Sequence, residues 1–162
     1  MKTTDKPLLQ DFQIEGVKHI NVFDAFEAIN SGDAVMLDVR ELNEVQLESV
    51  PLDRVLNHPM SLIMDRLPYI AKNQQIIVAC PGGVRSVKVV HMLNLQGYPN
   101  VASLEGGLTM WKAKGLPYDI NPLAMGCGCD SGVQIAGDEH ASSSALLKNS
   151  VKTTDFKNLR RT

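Results

Sequence analysis

Residues 75–97 read QIIVACPGGVRSVKVVHMLNLQG and join two segments of different character through a short loop. Residues 75–79 are almost entirely apolar, which predicts a strand buried on both faces. In residues 84–96 the apolar side chains recur around a helical repeat, and Gly97 predicts the end of that helix. A buried strand that leads directly into a helix is typical of parallel α/β sheets, so this stretch indicates that fold class.

The same alternation continues on both sides of this stretch. Strands are predicted at residues 17–20, 34–39, 54–57, 75–79 and 101–104. Helices are predicted at residues 22–29 after the N-cap Asn21, at 41–48, at 61–70 with an interruption at Pro68, at 84–96 and at 108–114. Regular separation of apolar strands by helices predicts a parallel sheet with helices on its faces.

The composition of the 162-residue chain changes near residue 120. We interpret residues 14–118 as one compact domain and residues 119–162, which are rich in Gly, Ser, Asn, Lys and Asp, as a C-terminal tail. A net charge of −2 argues against nucleic acid as a partner, and no apolar run is long enough to span a membrane. Since the N-terminus lacks the apolar core of a secretion signal, we expect a cytoplasmic protein whose three cysteines are reduced.

Cys80 ends the strongest predicted strand, and in parallel α/β sheets ligands bind at the carboxyl ends of strands. A cysteine at a strand end is, taken alone, more typical of the core. Here two glycines allow a tight curl that turns backbone amides inward, and the following helix N-terminus and Arg85 favour the thiolate. Because burial would oppose ionisation, we expect the loop to be open to solvent on one side. The loop residues are Pro81, Gly82, Gly83, Val84, Arg85 and Ser86.

Three motifs together resemble a single-domain rhodanese: CPGGVRS at 80–86, LDVRE at 37–41 and LEGGLTMWKAKGLP at 104–117. The resemblance covers about residues 14–118 and implies a five-stranded parallel sheet flanked by helices. It also implies a sulfurtransferase that moves a sulfane sulfur from a thiosulfate- or persulfide-type donor to a thiophilic acceptor. The intermediate is a persulfide on Cys80, the nucleophile, and Arg85 helps to hold an anionic donor. No cofactor and no metal are implied.

The resemblance also assigns supporting residues and shows two departures. It implies that residues 81–86 form the substrate cradle, that Asp38 and Arg40 support it, with Arg40 paired to Glu44, and that Trp111 packs the last helix. Pro81 has no N–H, so the predicted cradle lacks one donor. The segment SVPLDRVLNHP at 49–59 keeps a proline at Pro51 but lacks the histidine and small residues commonly seen around that proline, which leaves the path of the third strand open.

Two other functions are compatible with a reactive cysteine. A cysteine phosphatase or arsenate reductase generally has five residues between the cysteine and the arginine, whereas this chain has four, and Ala79 precedes the cysteine in place of a histidine. A sulfur-relay or binding module would carry persulfide for a protein partner with little turnover of small donors. The four-residue spacing argues against the phosphatase, but the sequence does not separate relay from enzyme.

The tail contains Cys127 and Cys129, which are separated by one glycine. As a dithiol they could accept sulfur from the Cys80 persulfide and then form a disulfide. Together with Asp138 or His140 they could instead hold a metal, or bind a soft ion such as Cu(I). They could also be incidental cysteines of a polar tail. We favour the role of redox or sulfur acceptor.

Overall fold

The computed structural model describes residues 1–122 of the chain. Within this range the strands of the main sheet are β1 (His19–Ile20), β2 (Ala34–Asp38), β4 (Val55–Asn57), β5 (Gln75–Ala79) and β6 (Val101–Leu104). They form a five-stranded parallel sheet in the order β1-β6-β5-β2-β4, which confirms the predicted fold class. A small antiparallel pair, β3 (Glu48–Ser49) with β7 (Asp119–Ile120), forms a second sheet.

The helices follow the strands in the predicted order. They are α1 (Val22–Asn30), α2 (Leu42–Leu47), α3 (Ile63–Arg66), α4 (Val84–Leu95) and α5 (Gly107–Ala113), with 3₁₀ turns at Met60–Leu62 and Leu67–Tyr69. The Asn21 side chain caps α1 by accepting from two backbone amides of its first turn. The predicted helix at 61–70 is divided into three short pieces. Pro68 lies in the third piece, where it has no amide hydrogen to continue the hydrogen bonds of α3.

The sheet is covered on both faces, as its continuous apolar strands require. One face packs against α1 and α5, where Trp111 is fully buried and meets Phe26 edge to face at 5.8 Å between ring centroids. The other face packs against α4 through Val87, Val90 and Leu93. Among residues 1–122, no helix is both long and apolar enough to cross a membrane.

The register of the sheet brings the ends of β2 and β5 together. Asp38 pairs with Ala79, and the backbone continues in step, with Val39 N donating to Ala79 O at 3.0 Å. Cys80, which directly follows β5, and Arg40, which is two residues after β2, therefore lie at the same carboxyl end of the sheet. The third predicted strand lies beside β2 as the edge strand β4.

The described fold reaches beyond residues 14–118 at both ends. Thr4 forms an antiparallel bridge with His19, and the backbone amide of Leu9 donates to the Glu105 carboxylate at 2.7 Å. At the other end β7 includes residues 119 and 120. The remainder of the predicted tail, with Cys127 and Cys129, lies outside the described residues.

Candidate active site

Two backbone amides point at the sulfur of Cys80, which directly follows β5. Gly83 N and Ser86 N each lie 3.2 Å from Cys80 Sγ. Gly83 is the N-cap of α4 and has a φ of +89°, a conformation that glycine adopts without steric cost. Both donors come from later positions in the loop, so the missing N–H of Pro81 removes neither of these two hydrogen bonds. Amides at this distance complement negative charge on the sulfur.

A chain of buried hydroxyls continues behind the cysteine. Ser86 Oγ lies 3.4 Å from Cys80 Sγ and 2.9 Å from the backbone oxygen of Gly83. Ser103 Oγ, on β6, lies 2.8 Å from Ser86 Oγ. Both serines are fully buried. Ser86 thus connects the cysteine loop to the sheet through a polar contact between α4 and β6.

Exposure differs between the loop and its cysteine. Gly82 is exposed and Val84 is 43% exposed, so the outer side of the loop faces solvent as expected. Cys80 itself is only 1% exposed and packs within the apolar layer that includes Val39 and Val87. The expectation of an open site therefore applies to the loop surface and is wrong for the cysteine. The sulfur is therefore not directly accessible to solvent in this structure.

Arg85 is held by Glu44 of α2. The guanidinium donates two hydrogen bonds to the carboxylate, both of 2.7 Å. Hydrogen bonding to Arg85 lowers the pKa of Glu44 from 4.5 to about 2, and the same hydrogen bonds raise the pKa of Arg85. The expected pairing of Arg40 with Glu44 is wrong, because Glu44 reaches across to the cysteine loop instead.

Arg40 is paired with Asp38 in a buried position. Its guanidinium donates to the Asp38 carboxylate at 2.7 to 3.1 Å, and both side chains are at most 4% exposed. The remaining Arg40 donors reach Glu48 O at 3.0 Å and the Tyr118 hydroxyl at 3.2 Å. Asn57 donates to the backbone oxygens of both Asp38 and Arg40. These contacts fix the turn between β2 and α2, and thereby the helix that carries Glu44.

A second pair of glycines holds α5 against the cysteine loop. Gly107 has a φ of +63°, and a side chain there would come within 2.4 Å of the backbone oxygens of Cys80 and Pro81. The same oxygens accept hydrogen bonds from Leu108 N at 2.9 Å and Thr109 N at 3.0 Å. Absence of a side chain at residue 107 therefore permits the close approach that fixes the start of the cysteine loop.

The N-terminal segment reaches the other side of the loop. Gln10 Oε1 accepts from Gly106 N at 3.0 Å, and it lies only 2.0 Å from the place where a side-chain carbon on Gly83 would be. Glu105, which is 4% exposed, accepts the backbone amides of Leu8 and Leu9. The segment before residue 14 thus contributes to the surroundings of the loop.

A pocket of about 300 Å³ lies beside Pro81. Its wall includes Lys112, Glu48 and Tyr118, and Glu48 Oε2 accepts from Lys112 Nζ and from the Tyr118 hydroxyl, both at 2.6 Å. Burial, together with the hydrogen bond to Glu48, raises the pKa of Tyr118 to about 12, so this hydroxyl stays protonated. The pocket therefore places hydroxyl and ammonium groups next to the cysteine loop.

The sequence predicts the residues of the cysteine loop but not several of the contacts around it. Ser103, Gln10 and the steric role of Gly107 were not anticipated. The consecutive glycines at 106 and 107, placed just before a helix, were a readable signal of close backbone approach. Ser103 carried no such signal, because a serine inside an apolar strand reveals nothing about which helix packs on it.

A family model for the rhodanese-like domain matches residues 24–114. The chain belongs to this family. A sulfurtransferase from Allochromatium vinosum is 34% identical over 85 residues, which cover 52% of this chain and 78% of that protein. The thiosulfate sulfurtransferase GlpE from Pseudoalteromonas translucida is 31% identical over 97 residues, covering 59% and 90% respectively. The relatives support rhodanese-type sulfurtransferase activity at the level of the family.

Solved structures agree with this assignment. A rhodanese-related protein from Thermoplasma volcanium superposes with a TM-score of 0.57 at 29% identity, covering 64% of this chain and 98% of that one. A rhodanese-like domain from Anabaena superposes with a TM-score of 0.60 at 22% identity, covering 78% and 98%. The second similarity concerns the fold alone.

Proposed function

We propose that this protein is a sulfurtransferase that carries sulfane sulfur as a persulfide on Cys80. The observation that supports the proposal best is the convergence of Gly83 N and Ser86 N on Cys80 Sγ, each at 3.2 Å. These donors suit an anionic sulfur, either the thiolate before reaction or the persulfide after it. Arg85 adds positive charge near enough to Cys80 for the two to interact electrostatically.

The reaction has two half-reactions. The Cys80 thiolate attacks the outer sulfur of a thiosulfate- or persulfide-type donor, a new S–S bond forms, and sulfite or a thiolate leaves with the electron pair of the broken bond. An acceptor thiolate then attacks the terminal sulfur, takes it as a new persulfide, and returns Cys80 to its thiolate. Covalent catalysis of this kind gives ping-pong kinetics.

Arg85 has a dual role in this proposal. Its bonds to Glu44 fix the far end of the cysteine loop, while its charge contributes to the attraction of an anionic donor. Arg40 and Asp38 act indirectly, by fixing the turn before α2, the helix that carries Glu44. Neither of these two residues needs to contact the donor.

Mass spectrometry of the full chain after exposure to thiosulfate tests the assignment. We expect the wild type to gain one sulfur atom on the peptide that contains Cys80, and Cys80→Ser to gain none. A Cys127→Ser/Cys129→Ser variant serves as the matched control and should still load Cys80. Sulfur loading that survives in Cys80→Ser would contradict the proposal.

Two alternatives are separated by turnover assays. Efficient transfer from thiosulfate to cyanide supports an enzyme, whereas stable loading with little turnover supports a relay module that passes sulfur to a protein partner. Hydrolysis of an aryl phosphate would support a cysteine phosphatase. The guanidinium of Arg85 is bound on two sides by Glu44, which argues against a binding ring for a tetrahedral oxyanion.

We also propose that the cysteines at 127 and 129 accept sulfur from Cys80. Cys127 lies five residues after Pro122, a reach of roughly 17 Å for extended chain. Tyr118, shortly before that point, lines the same pocket as Pro81. Transfer to Cys127 gives a persulfide there. Attack by Cys129 then forms a disulfide and releases sulfide, and a thiol reductant restores the pair.

Sulfide release after thiosulfate is added to the fully reduced protein, without external thiol, tests this step. We expect one sulfide per chain in the wild type, after which Cys80 is loaded again and stays loaded, and no sulfide in Cys127→Ser/Cys129→Ser. Equal release from both proteins would contradict the acceptor role, while the loading of Cys80 would remain a separate result.

A further inference from the structure

We propose that Ser103 is a positioning residue for Cys80, acting through the hydroxyl of Ser86. The proposal rests on the proposed function, because it takes Cys80 as the nucleophile. Ser103 lies on β6 and faces α4, in the layer that holds Val78 and Val101. Together with Ser86 of α4 it forms a buried polar contact within this largely apolar layer.

The hydroxyl of Ser103 has one hydrogen-bond partner within residues 1–122, which is Ser86 Oγ at 2.8 Å. A buried hydroxyl without a partner is costly, so this bond is made in every state of the cysteine. The backbone oxygen of Gly83, at 2.9 Å from Ser86 Oγ, can only accept. The Ser103 hydroxyl therefore donates its hydrogen to Ser86 Oγ. The hydrogen of the Ser86 hydroxyl is then available for a different acceptor.

Two acceptors compete for that hydrogen. When Cys80 is a thiol, its S–H can donate to Ser86 Oγ across 3.4 Å, and Ser86 donates to Gly83 O. When Cys80 is a thiolate or persulfide, the sulfur can only accept, and rotation of the Ser86 hydroxyl supplies a third donor beside the two amides. A hydroxyl that accepts a hydrogen bond is a stronger donor, so the bond from Ser103 strengthens this third contact.

Two titratable groups near this chain of hydroxyls, His19 and Arg85, keep one charge state above neutral pH. His19 is the register partner of Ser103 on β1, and burial lowers the pKa of His19, so it stays neutral. Arg85 stays protonated because Glu44 raises its pKa. Glu105, one residue beyond β6, accepts the N-terminal amides of Leu8 and Leu9. If the pH dependence of Cys80 alkylation changes in a Ser103 variant, the change therefore comes from the hydrogen bonds of the hydroxyls.

Alkylation of the full-length protein by iodoacetamide, followed on the peptide that contains Cys80, measures the effect without sulfur transfer. We expect Ser86→Ala to lower the rate at neutral pH about tenfold and Ser103→Ala about threefold, since bonds to charged groups are stronger than neutral ones. In both variants the pH of half-maximal alkylation rises. The double variant should match Ser86→Ala, because Ser103 acts only through Ser86.

Two further variants separate positioning from general stability. Val101→Ala, on the same strand and face, should lower the melting temperature and leave the alkylation profile unchanged. Ser103→Thr keeps a hydroxyl and should restore the wild-type profile. If Ser103→Ala behaves like Val101→Ala, or if the two serine effects add in the double variant, the proposal is wrong. Cys80→Ser that still transferred sulfur would overturn the proposed function instead, whatever the alkylation profiles.

Discussion

Arg85 and Glu44 form a two-point ion pair across the cysteine loop, with both N–O distances at 2.7 Å. The two residues are 41 positions apart and belong to α4 and α2. Each side chain is 33% exposed, so the pair is partly screened by solvent. The arginine that was expected to hold an anionic donor is thus already bound to a carboxylate, so we expect an anionic donor to compete with Glu44 for it.

Neutralising Glu44 should tighten the binding of anionic donors. In Glu44→Gln the side-chain size is kept while the positive charge of Arg85 is left without its counter-charge. We expect the KM for thiosulfate to fall about twofold to threefold at low ionic strength, with the difference shrinking as salt is added. Steady-state kinetics at two salt concentrations measure this change.

The matched control for this variant is Glu27→Gln, which removes a negative charge from the exposed side of α1. It should leave the KM unchanged. An increase in KM for Glu44→Gln would show that Glu44 places Arg85 for the donor, and would contradict simple competition.

The ion pair also predicts how stability depends on pH. The pKa of Glu44 is about 2 in the folded protein, below its ordinary 4.5, so the folded state binds fewer protons than the unfolded state between these values. The contribution of the pair is complete above about pH 5 and is lost as the pH falls toward 2. Given its exposure, we expect a contribution below about 1 kcal/mol.

Urea unfolding of wild type and Glu44→Gln at several pH values tests this window. The difference in unfolding free energy should shrink between about pH 5 and pH 2. Burial lowers the pKa values of His19 and His58, which also reduces stability as the pH falls below 6.5. Because both proteins share these histidines, their effect cancels in the difference. A difference that stayed constant down to pH 2 would exclude the pair as its source.

A side chain at Gly107 should disrupt the start of the cysteine loop. In Gly107→Ala the new carbon would lie 2.4 Å from the backbone oxygens of Cys80 and Pro81, and the residue would keep a positive φ. We expect a loss of about 3 kcal/mol from overpacking and backbone strain together. Chemical unfolding measures this loss, and the rate of Cys80 alkylation should change as well.

Gly115→Ala separates the two causes. Gly115 follows the same helix with a φ of +70°, but within residues 1–122 no atom beyond its chain neighbours lies within 4 Å of an added side-chain carbon. It should cost about 1 kcal/mol, the part due to the backbone alone. Equal losses in the two variants would mean that the cysteine loop moves aside freely.

The sequence predicted best those elements whose signal is local. Strands β5 and β6 match their predicted bounds, because each is a compact apolar run that ends at a change of composition. Asn21 was identified as a helix cap from its type and position, and its side chain makes the expected bonds. The fold class followed from the alternation of such segments.

Other features depend on contacts between distant parts of the chain. Strands β3 and β7 are two residues long, polar at three of four positions, and 70 or so residues apart, so nothing local marks them. The choice of Arg85 over Arg40 as the partner of Glu44 depends on how α2 lies against α4. Charge and spacing along the chain do not encode that orientation.

The buried pair of Asp38 and Arg40 should behave differently from an exposed ion pair. Removing the charge of one partner, as in Asp38→Asn or Arg40→Met, leaves the other charge buried without compensation and should cost about 3 kcal/mol. The double variant should lose about 2 kcal/mol less than the sum of the two, because no uncompensated charge remains. Urea unfolding of the four proteins measures this coupling.

Lys112→Met is the comparison for a pair at the surface. Lys112 and Glu48 are 38% and 27% exposed, so breaking their 2.6 Å contact should cost less than about 1 kcal/mol. If the Asp38 and Arg40 variants cost no more than Lys112→Met, the turn before α2 does not depend on its buried charges. If instead the double variant is as stable as the wild type, the Asp38–Arg40 pair fixes the turn before α2 without adding to the free energy of unfolding. Sulfur transfer by that variant would then show whether the turn must be held for Arg85 to act.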